Sequence, residues 1–281
     1  MRSALAVGVP PNSRRGFLLV VLTASVLAAG CRPGRVRPVL PVTLPPAERL
    51  LETLEQRRAS VVSLRGFAHI AYESGEERLG GRHAVLVRQP DHFRLEVLSP
   101  LGALAVVASD GRELAVYVRS ERRIYRGSAT AESVAAYTGV PVAVEDVVAV
   151  LVGAPPYRPP VGAATVARDE GAALIRLAIP IAAGSQEVWF APESLLPVAS
   201  ATALADGGIL RTRFGDYRDL GAFPFPYAVE LRTEPGDRAV RVRYGSPSLN
   251  QEVADGVFAL PSRDGVEDVV IEAYPGAGPA T

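Results

Sequence analysis

One cysteine, three histidines and no lysine limit what this 281-residue chain can do chemically. Without lysine, Schiff-base chemistry and a Walker-type phosphate loop are excluded. A single cysteine excludes an internal disulfide and any multi-cysteine zinc site. His69, His83 and His92 stand in or beside charged, strand-like runs and lack metal-ligand spacing, so they read as ordinary surface residues. Adjacent acids such as Glu76-Glu77 and Asp169-Glu170 point apart on an extended chain, which makes catalytic pairing a poor fit. Glu145-Asp146 better suits a helix N-terminus. No Gly-x-Ser-x-Gly elbow, His-Glu-x-x-His or dinucleotide fingerprint occurs. These residues point to binding without covalent chemistry: no enzyme, no cofactor and no metal. A carboxylate-dependent hydrolase would instead require a deep polar cleft holding a carboxyl pair of raised pKa.

The chemistry left to Cys31 is its own modification. Met1–Arg15 is a positive, polar leader, and Gly16–Leu27 (GFLLVVLTASVL) is an apolar run of signal-peptide length. Ala28, Ala29 and Gly30 follow, small residues that fit a signal peptidase groove, and then Cys31. This matches the bacterial lipobox, in which Cys31 becomes the lipidated first residue, carrying palmitate or a similar acyl chain. The other reading is an ordinary signal peptide whose cleavage point happens to hold the cysteine. Ser13-Arg14-Arg15-Gly16-Phe17-Leu18 is similar to a twin-arginine export signal, and the strongly apolar run after it favours the general secretory route; both stay open. Arg32 stands where enterobacterial lipoproteins kept in the inner membrane carry Asp, which by resemblance points to the outer membrane, inner leaflet, facing the periplasm. Arg32–Pro46 (RPGRVRPVLPVTLPP) is proline-rich and favours an extended polyproline conformation. At about 3.1 Å per residue it is a semi-rigid tether of roughly 45 Å.

The body must then be placed behind that tether. The formal net charge is zero, and residues 1–30 contribute three arginines and no acid, so the remainder is net acidic by three and is no polyanion binder. Aromatic residues make up only 6%, too few for base-stacking platforms. With 48% hydrophobic and 21% charged residues the chain packs as a globular body. About 250 residues can bury roughly three quarters of their unfolded surface, enough for one large core.

Ala47, Leu50, Leu51, Leu54 and Val61 fall near one face of a helix that starts at Pro45 or Pro46. Strands are expected at Phe67–Tyr72, Arg82–Arg88, His92–Leu98, Ala103–Ala108, Glu113–Arg119 and Arg122–Arg126, separated by turn residues. Thr130–Tyr137 and Val144–Leu151 read as short helices, the second so rich in valine that only burial can hold it. Strands resume at Leu174–Ile179, Gln186–Phe190, Pro197–Leu204, Ile209–Tyr217, Tyr227–Arg232 and Ala239–Tyr244, with weaker ones at Leu249–Val253 and Glu267–Tyr274. Pro275–Thr281 reads as a flexible tail.

The short spacing dictates antiparallel meanders. The fold class is therefore α+β: a large curled antiparallel sheet with helices plugging its concave side. One domain is expected over 47–274, after a signal peptide at 1–30 and the lipidated Cys31 and tether at 31–46. Period-two alternation turns Phe93, Leu95 and Val97 to one face, as it does Val229 with Leu231 and Val240 with Val242. With Phe190 and Phe214, and with Val147, Val148 and Leu151 from the helix above, these residues would line an apolar cavity suited to acyl chains. Arg122-Arg123 with Arg126 reads as a solvated strand edge, with lipid headgroups as the alternative partner.

Three stretches resemble the lipoprotein-localisation family of LolA and LolB. Arg94–Gly102 (RLEVLSPLG) is similar to that family's strand and Pro-Leu-Gly turn. Gly139–Pro155 (GVPVAVEDVVAVLVGAP) is similar to its Gly-x-Pro-x-Pro segment, with Ala143 in place of the second proline and Ala149 or Val150 where a tryptophan is usual. Phe223–Leu231 (FPFPYAVEL) is similar to the start of a late strand, and Arg213–Tyr217 and Asn250–Leu260 resemble the carrier LolA. The likeness covers most of Leu50–Pro261 and is, within the family, especially to the outer-membrane lipoprotein receptor LolB. It implies a half-open barrel with a helical lid that binds lipoprotein acyl chains and hands them on at the outer membrane. A periplasmic LolA-like carrier is then the implied partner. It also implies that Leu101 is the protruding residue of a membrane-insertion loop that helps insert cargo into the bilayer, a buried turn residue being the other reading, and that Val144–Val152 belongs to the lid. A non-transporting envelope sensor or structural subunit could use the same fold.

Overall fold

Turn residues cut the chain into alternating apolar and polar runs, and each run becomes a strand of one 15-stranded sheet. The computed structural model describes residues 43–75, 77–138, 141–221, 223–236 and 238–270, all within one compact unit. Cys31, the leader, most of the proline-rich tether and the tail at 275–281 lie outside the described residues.

Helix α1 (Ala47–Ser60) leads into six strands: β1 (Ser63–Ser74), β2 (Glu77–Arg88), β3 (His92–Ser99), β4 (Gly102–Asp110), β5 (Glu113–Val118) and β6 (Arg123–Ser128). Helices α2 (Ala131–Thr138) and α3 (Val144–Leu151) follow. The second meander runs through β7 (Thr165–Asp169), β8 (Leu174–Ile181), β9 (Gly184–Phe190), β10 (Pro197–Ala203), β11 (Ile209–Leu220), β12 (Phe223–Glu234) and β13 (Arg238–Tyr244). The chain ends its described course with β14 (Ser248–Leu249) and β15 (Glu267–Val270).

Antiparallel pairing of β1 with β13 joins the two meanders into one sheet. The order is β15-β6-β5-β4-β3-β2-β1-β13-β12-β11-β10-β9-β8-β7, with β14 beside β1. The sheet does not close, because β7 and β15 are its two ends. This is the large curled sheet with a few helices that the sequence pattern implies.

Three differences from the sequence reading have physical causes. β7 was not foreseen, because only Val166 and Ala167 of its five residues are apolar. The stretch expected as Leu249–Val253 pairs only at its start, since Asn250 has φ of 56° and turns the chain away. Finally, β6 is not a solvated edge: β15 pairs with it in parallel, and Glu267 and Asp268 engage Arg123 and Arg126 at 2.9 and 2.7 Å.

Apolar side chains collect in three places. The largest cluster fills the concave face from β6 round to β11 and takes in α2 and α3. A second packs Leu50 and Leu54 of α1 on Ile175, Leu177, Ile179, Val188 and Phe190 of β8 and β9. A third lies on the outer face of β4–β6, where Leu260 of the C-terminal segment covers Val106, Ala108, Ala115 and Ile124. Two helical covers thus share one concave face, and the chain's end straps the convex one.

Candidate functional site

Helix α3 is apolar on nearly all sides, which a helix sustains only when it is buried all round. Val144, Val148, Val150 and Leu151 are buried, and Val147 packs half-buried beside them. The helix lies against β2, β3 and β12. Its end is a Schellman motif: Gly153 N–H donates to the Val150 carbonyl at 3.1 Å and Ala154 N–H to that of Ala149 at 2.9 Å. Gly153 adopts φ of 77°, and a Cβ there would meet Pro226 Cγ at 2.6 Å, so both conformation and space demand glycine.

Only a few polar ties fasten this helix. Tyr244 Oη, on β13, donates to the Leu151 carbonyl at 2.7 Å; burial pushes the phenol's pKa upward. Asp146 faces inward, its side chain 2% exposed, and Arg158 grips both carboxylate oxygens at 2.7 and 2.5 Å. The Arg158 side chain is 34% exposed, so the pair is buried at one end and wet at the other. Hydrogen bonds from Arg158 to Asp146 raise the guanidinium pKa further. The acidic pair at 145–146 is thus split: Glu145 is exposed, and Asp146 is a buried ion-pair partner.

Ten of the twelve residues expected to line the cavity meet in the cluster around α3. Phe93, Val148, Leu151, Phe214, Val229, Leu231 and Val242 are in the cluster around α3, with Leu95, Val147 and Val240 packed against it. Phe190 is a correction: it packs with the α1 cluster instead. Val97 stays half-buried on the concave face, opposite His83, outside the cluster. Beneath α3 the apolar face is covered by the helix's own buried Val144, Val148, Val150 and Leu151.

A preformed groove of about 310 Å³ lies beside the lid, lined by Leu54, Ala59, Val62, Pro155, Pro156 and Tyr157, with Glu55, Arg58 and Gln89 at its rim. Arg58 sits over the Tyr157 ring at 5.7 Å. The groove therefore runs between α1 and the segment that leads from α3 to Arg158. Behind it the concave face turns polar: Gln186, Ser200, Thr202 and Thr212 are buried neighbours on β9–β11. The Gln186 amide donates to the Pro156 carbonyl and to Thr202 Oγ1, while its Oε1 is buried without a partner. Sequence alternation gave no sign of this seam, because small polar residues alternate in strands just as apolar ones do.

The other candidates are dispersed. His92 Nδ1 is 2.6 Å from Asp91 and its ring meets Phe258 edge-on. His83 is partly buried, which lowers its pKa, although its Nδ1 lies 2.9 Å from the Gly81 carbonyl. Asp169 accepts from the Trp189 indole at 3.0 Å. Among the described residues no group of three or more His, Cys, Asp or Glu could hold a metal ion. Among them, too, no helix is long and apolar enough to cross a membrane. Leu101, at the β3–β4 tip, is 82% exposed.

The curled sheet with a helix on its concave side is a LolA-like fold. It is similar to the LolA superfamily protein from Nitrosomonas europaea, with a TM-score of 0.50 and 12% identity over 77% of this chain and 99% of that one. A DUF1329 family protein from Desulfovibrio piger is similar with a TM-score of 0.53 and 11% identity, over 76% of this chain and 95% of that one. No family model matches the chain, and no curated protein matches it in sequence.

Proposed function

We propose that this protein is a LolB-like acceptor: an envelope lipoprotein, anchored through Cys31, that binds acyl chains on the concave face of its sheet beneath α3. The observation that carries this reading is a mostly apolar, buried helix, lying on a continuous apolar face and fastened by two side-chain ties. An acyl chain sliding in from the groove beside α1 would replace valine and leucine side chains with methylenes. Each buried methylene is worth about 0.8 kcal/mol, so the exchange is close to balanced and reversible. The task requires no bond making, so the protein acts as a binder and not an enzyme. Its cargo is a lipoprotein or other lipid, received from a soluble LolA-like carrier and delivered at the inner leaflet of the outer membrane, where Leu101 would enter the bilayer.

A second reading is favoured by one observation. The concave face is already filled by α3, as suits a sensor or structural subunit that carries nothing. Titration with a fluorescent fatty acid separates the two. The acceptor reading expects saturable uptake that Leu151→Glu abolishes and Leu101→Glu leaves unchanged. Absence of uptake by the folded wild-type protein, and by a variant with a loosened lid, would leave only the second reading.

A further inference from the structure

Leu101 protrudes from a tip at which its own N–H and carbonyl are both paired within the protein. Its N–H donates to Ser99 Oγ at 3.2 Å, and that hydroxyl donates to the Gly102 carbonyl at 2.7 Å. Arg119 Nη1 donates to the Leu101 carbonyl at 2.7 Å, and the Arg119 N–H to the Leu104 carbonyl at 3.0 Å. The preceding residue, Pro100, has no N–H to satisfy. An unpaired amide in hydrocarbon costs several kcal/mol, and Leu101 avoids that cost at its own N–H and carbonyl.

Two arginines stand near the tip. Arg119 sits at its base and is exposed. On the outer face of β2, Arg82 lies over the ring of Phe67 at 4.4 Å. His83, the neighbour of Arg82, pairs with Val97, four residues before Leu101, or roughly 10–15 Å along a strand. Neither arginine has an ion-pair partner among the described residues. Apolar surface continues between them: Phe67 is 42% and Leu104 48% exposed. Of the acids nearby, Glu96 is paired with Arg94 at 2.7 Å, while Glu121 accepts from the Tyr125 hydroxyl and keeps its charge. Arg123 and Arg126 are neutralised by β15 and take no part.

An exposed leucine tip whose own N–H and carbonyl are paired, with two arginines that lack ion-pair partners among the described residues and a phenylalanine on the same part of the sheet, matches a bilayer surface bearing negative headgroups. A peptide partner fits less well, because the apolar element projects outward instead of lining a groove. We infer that Leu101, Arg119 and Arg82 form a docking surface that selects anionic phospholipid bilayers. This rests on the reading of Leu101 as a bilayer-entering residue and adds the charge selection to it.

The test is vesicle co-sedimentation of the chain lacking residues 1–30, with Cys31→Ser so that no lipid anchors it. Vesicles are phosphatidylcholine alone, or phosphatidylcholine and phosphatidylglycerol in equal amounts. The wild-type chain is expected to partition more strongly into the anionic vesicles. Arg82→Gln with Arg119→Gln, which keeps an amide donor at each place, is expected to lower anionic partitioning roughly thirtyfold, at the usual contribution of an arginine near a charged surface, and to leave neutral partitioning unchanged. Leu101→Glu lowers both. Equal wild-type partitioning into both vesicles, still sensitive to Leu101→Glu, would overturn the charge selection and keep the Leu101 reading. No partitioning into either, by a chain that circular dichroism reports as folded, would overturn both.

Discussion

Replacing Arg158 by alanine strips the inward-facing Asp146 of its partner and puts the lid under load. Breaking a buried ion pair from one side costs about 3–5 kcal/mol, because the remaining charge is left uncompensated. Here the Arg158 side chain is 34% exposed, so water reaches its end of the pair and the lower figure, about 3 kcal/mol, applies. That penalty falls on an eight-residue helix, too short to persist once undocked. A whole domain is stable by about 5–15 kcal/mol, so the sheet stays folded while α3 opens more often. At 1.4 kcal/mol per factor of ten, hydrogen exchange at Val148–Leu151 should quicken by about a hundredfold, with little change in the amides of β11 and β12. If acyl chains bind only the opened form, apparent affinity for a fluorescent fatty acid should tighten by up to the same factor. The double replacement Asp146→Leu with Arg158→Leu should bring exchange back to the wild-type rate, since an apolar pair of similar bulk replaces a buried ion pair at little cost. Unchanged exchange in Arg158→Ala would refute the idea that this pair latches the lid.

Gly153→Ala should destabilise the protein by roughly 1–3 kcal/mol in urea titration, since the left-handed backbone and the Pro226 contact both oppose a side chain. Leu101→Glu should move the same titration by less than about 0.5 kcal/mol, as expected for a fully solvated tip, whatever it does to vesicle binding. Burial pushes the Tyr217 phenol up to about 12, against the opposing pull of nearby Arg57. A raised phenol pKa means that its contribution is complete below about pH 10 and is lost as pH climbs towards 12, and Tyr217→Phe should flatten that alkaline limb of a stability–pH curve. Asp110 accepts from the backbone N–H groups of Glu113 and Arg112, which holds its pKa below the ordinary range. Its support is present above about pH 4 and disappears as pH falls through the depressed value, so Asp110→Ala should cost about 1 kcal/mol at neutral pH and little in acid.

The strands were legible wherever alternation was clean and turns were marked. His92–Leu98 and Ala239–Tyr244 correspond within one residue to β3 and β13, and Val144–Leu151 corresponds to α3 residue for residue. The unclosed curl also followed from short turns and from helices interrupting a meander. Period-two patterns say which side chains share a face of their own strand, but not which helix will cover that face. This is why Phe190 was grouped with the lid although α1 covers it. Nor can a pattern report that a valine-rich helix fills the trough it covers, because volume depends on how closely β2, β3 and β12 approach it. The Asp146–Arg158 pair joins two residues twelve positions apart through an irregular, proline-rich connection, where no periodicity operates. The β15 pairing was hidden for a related reason: a parallel partner arriving from the chain's far end leaves no local signal on β6.

The central claim is that a hydrocarbon chain takes the place of α3's side chains on the concave face. Photo-crosslinking with a diazirine-bearing palmitate, followed by peptide mapping, tests it directly. Adducts are expected on Val144–Leu151 and on the facing residues of β3, β12 and β13, and should increase with Arg158→Ala. Adducts confined to the outer face of β1–β4, or none in either protein, would contradict it.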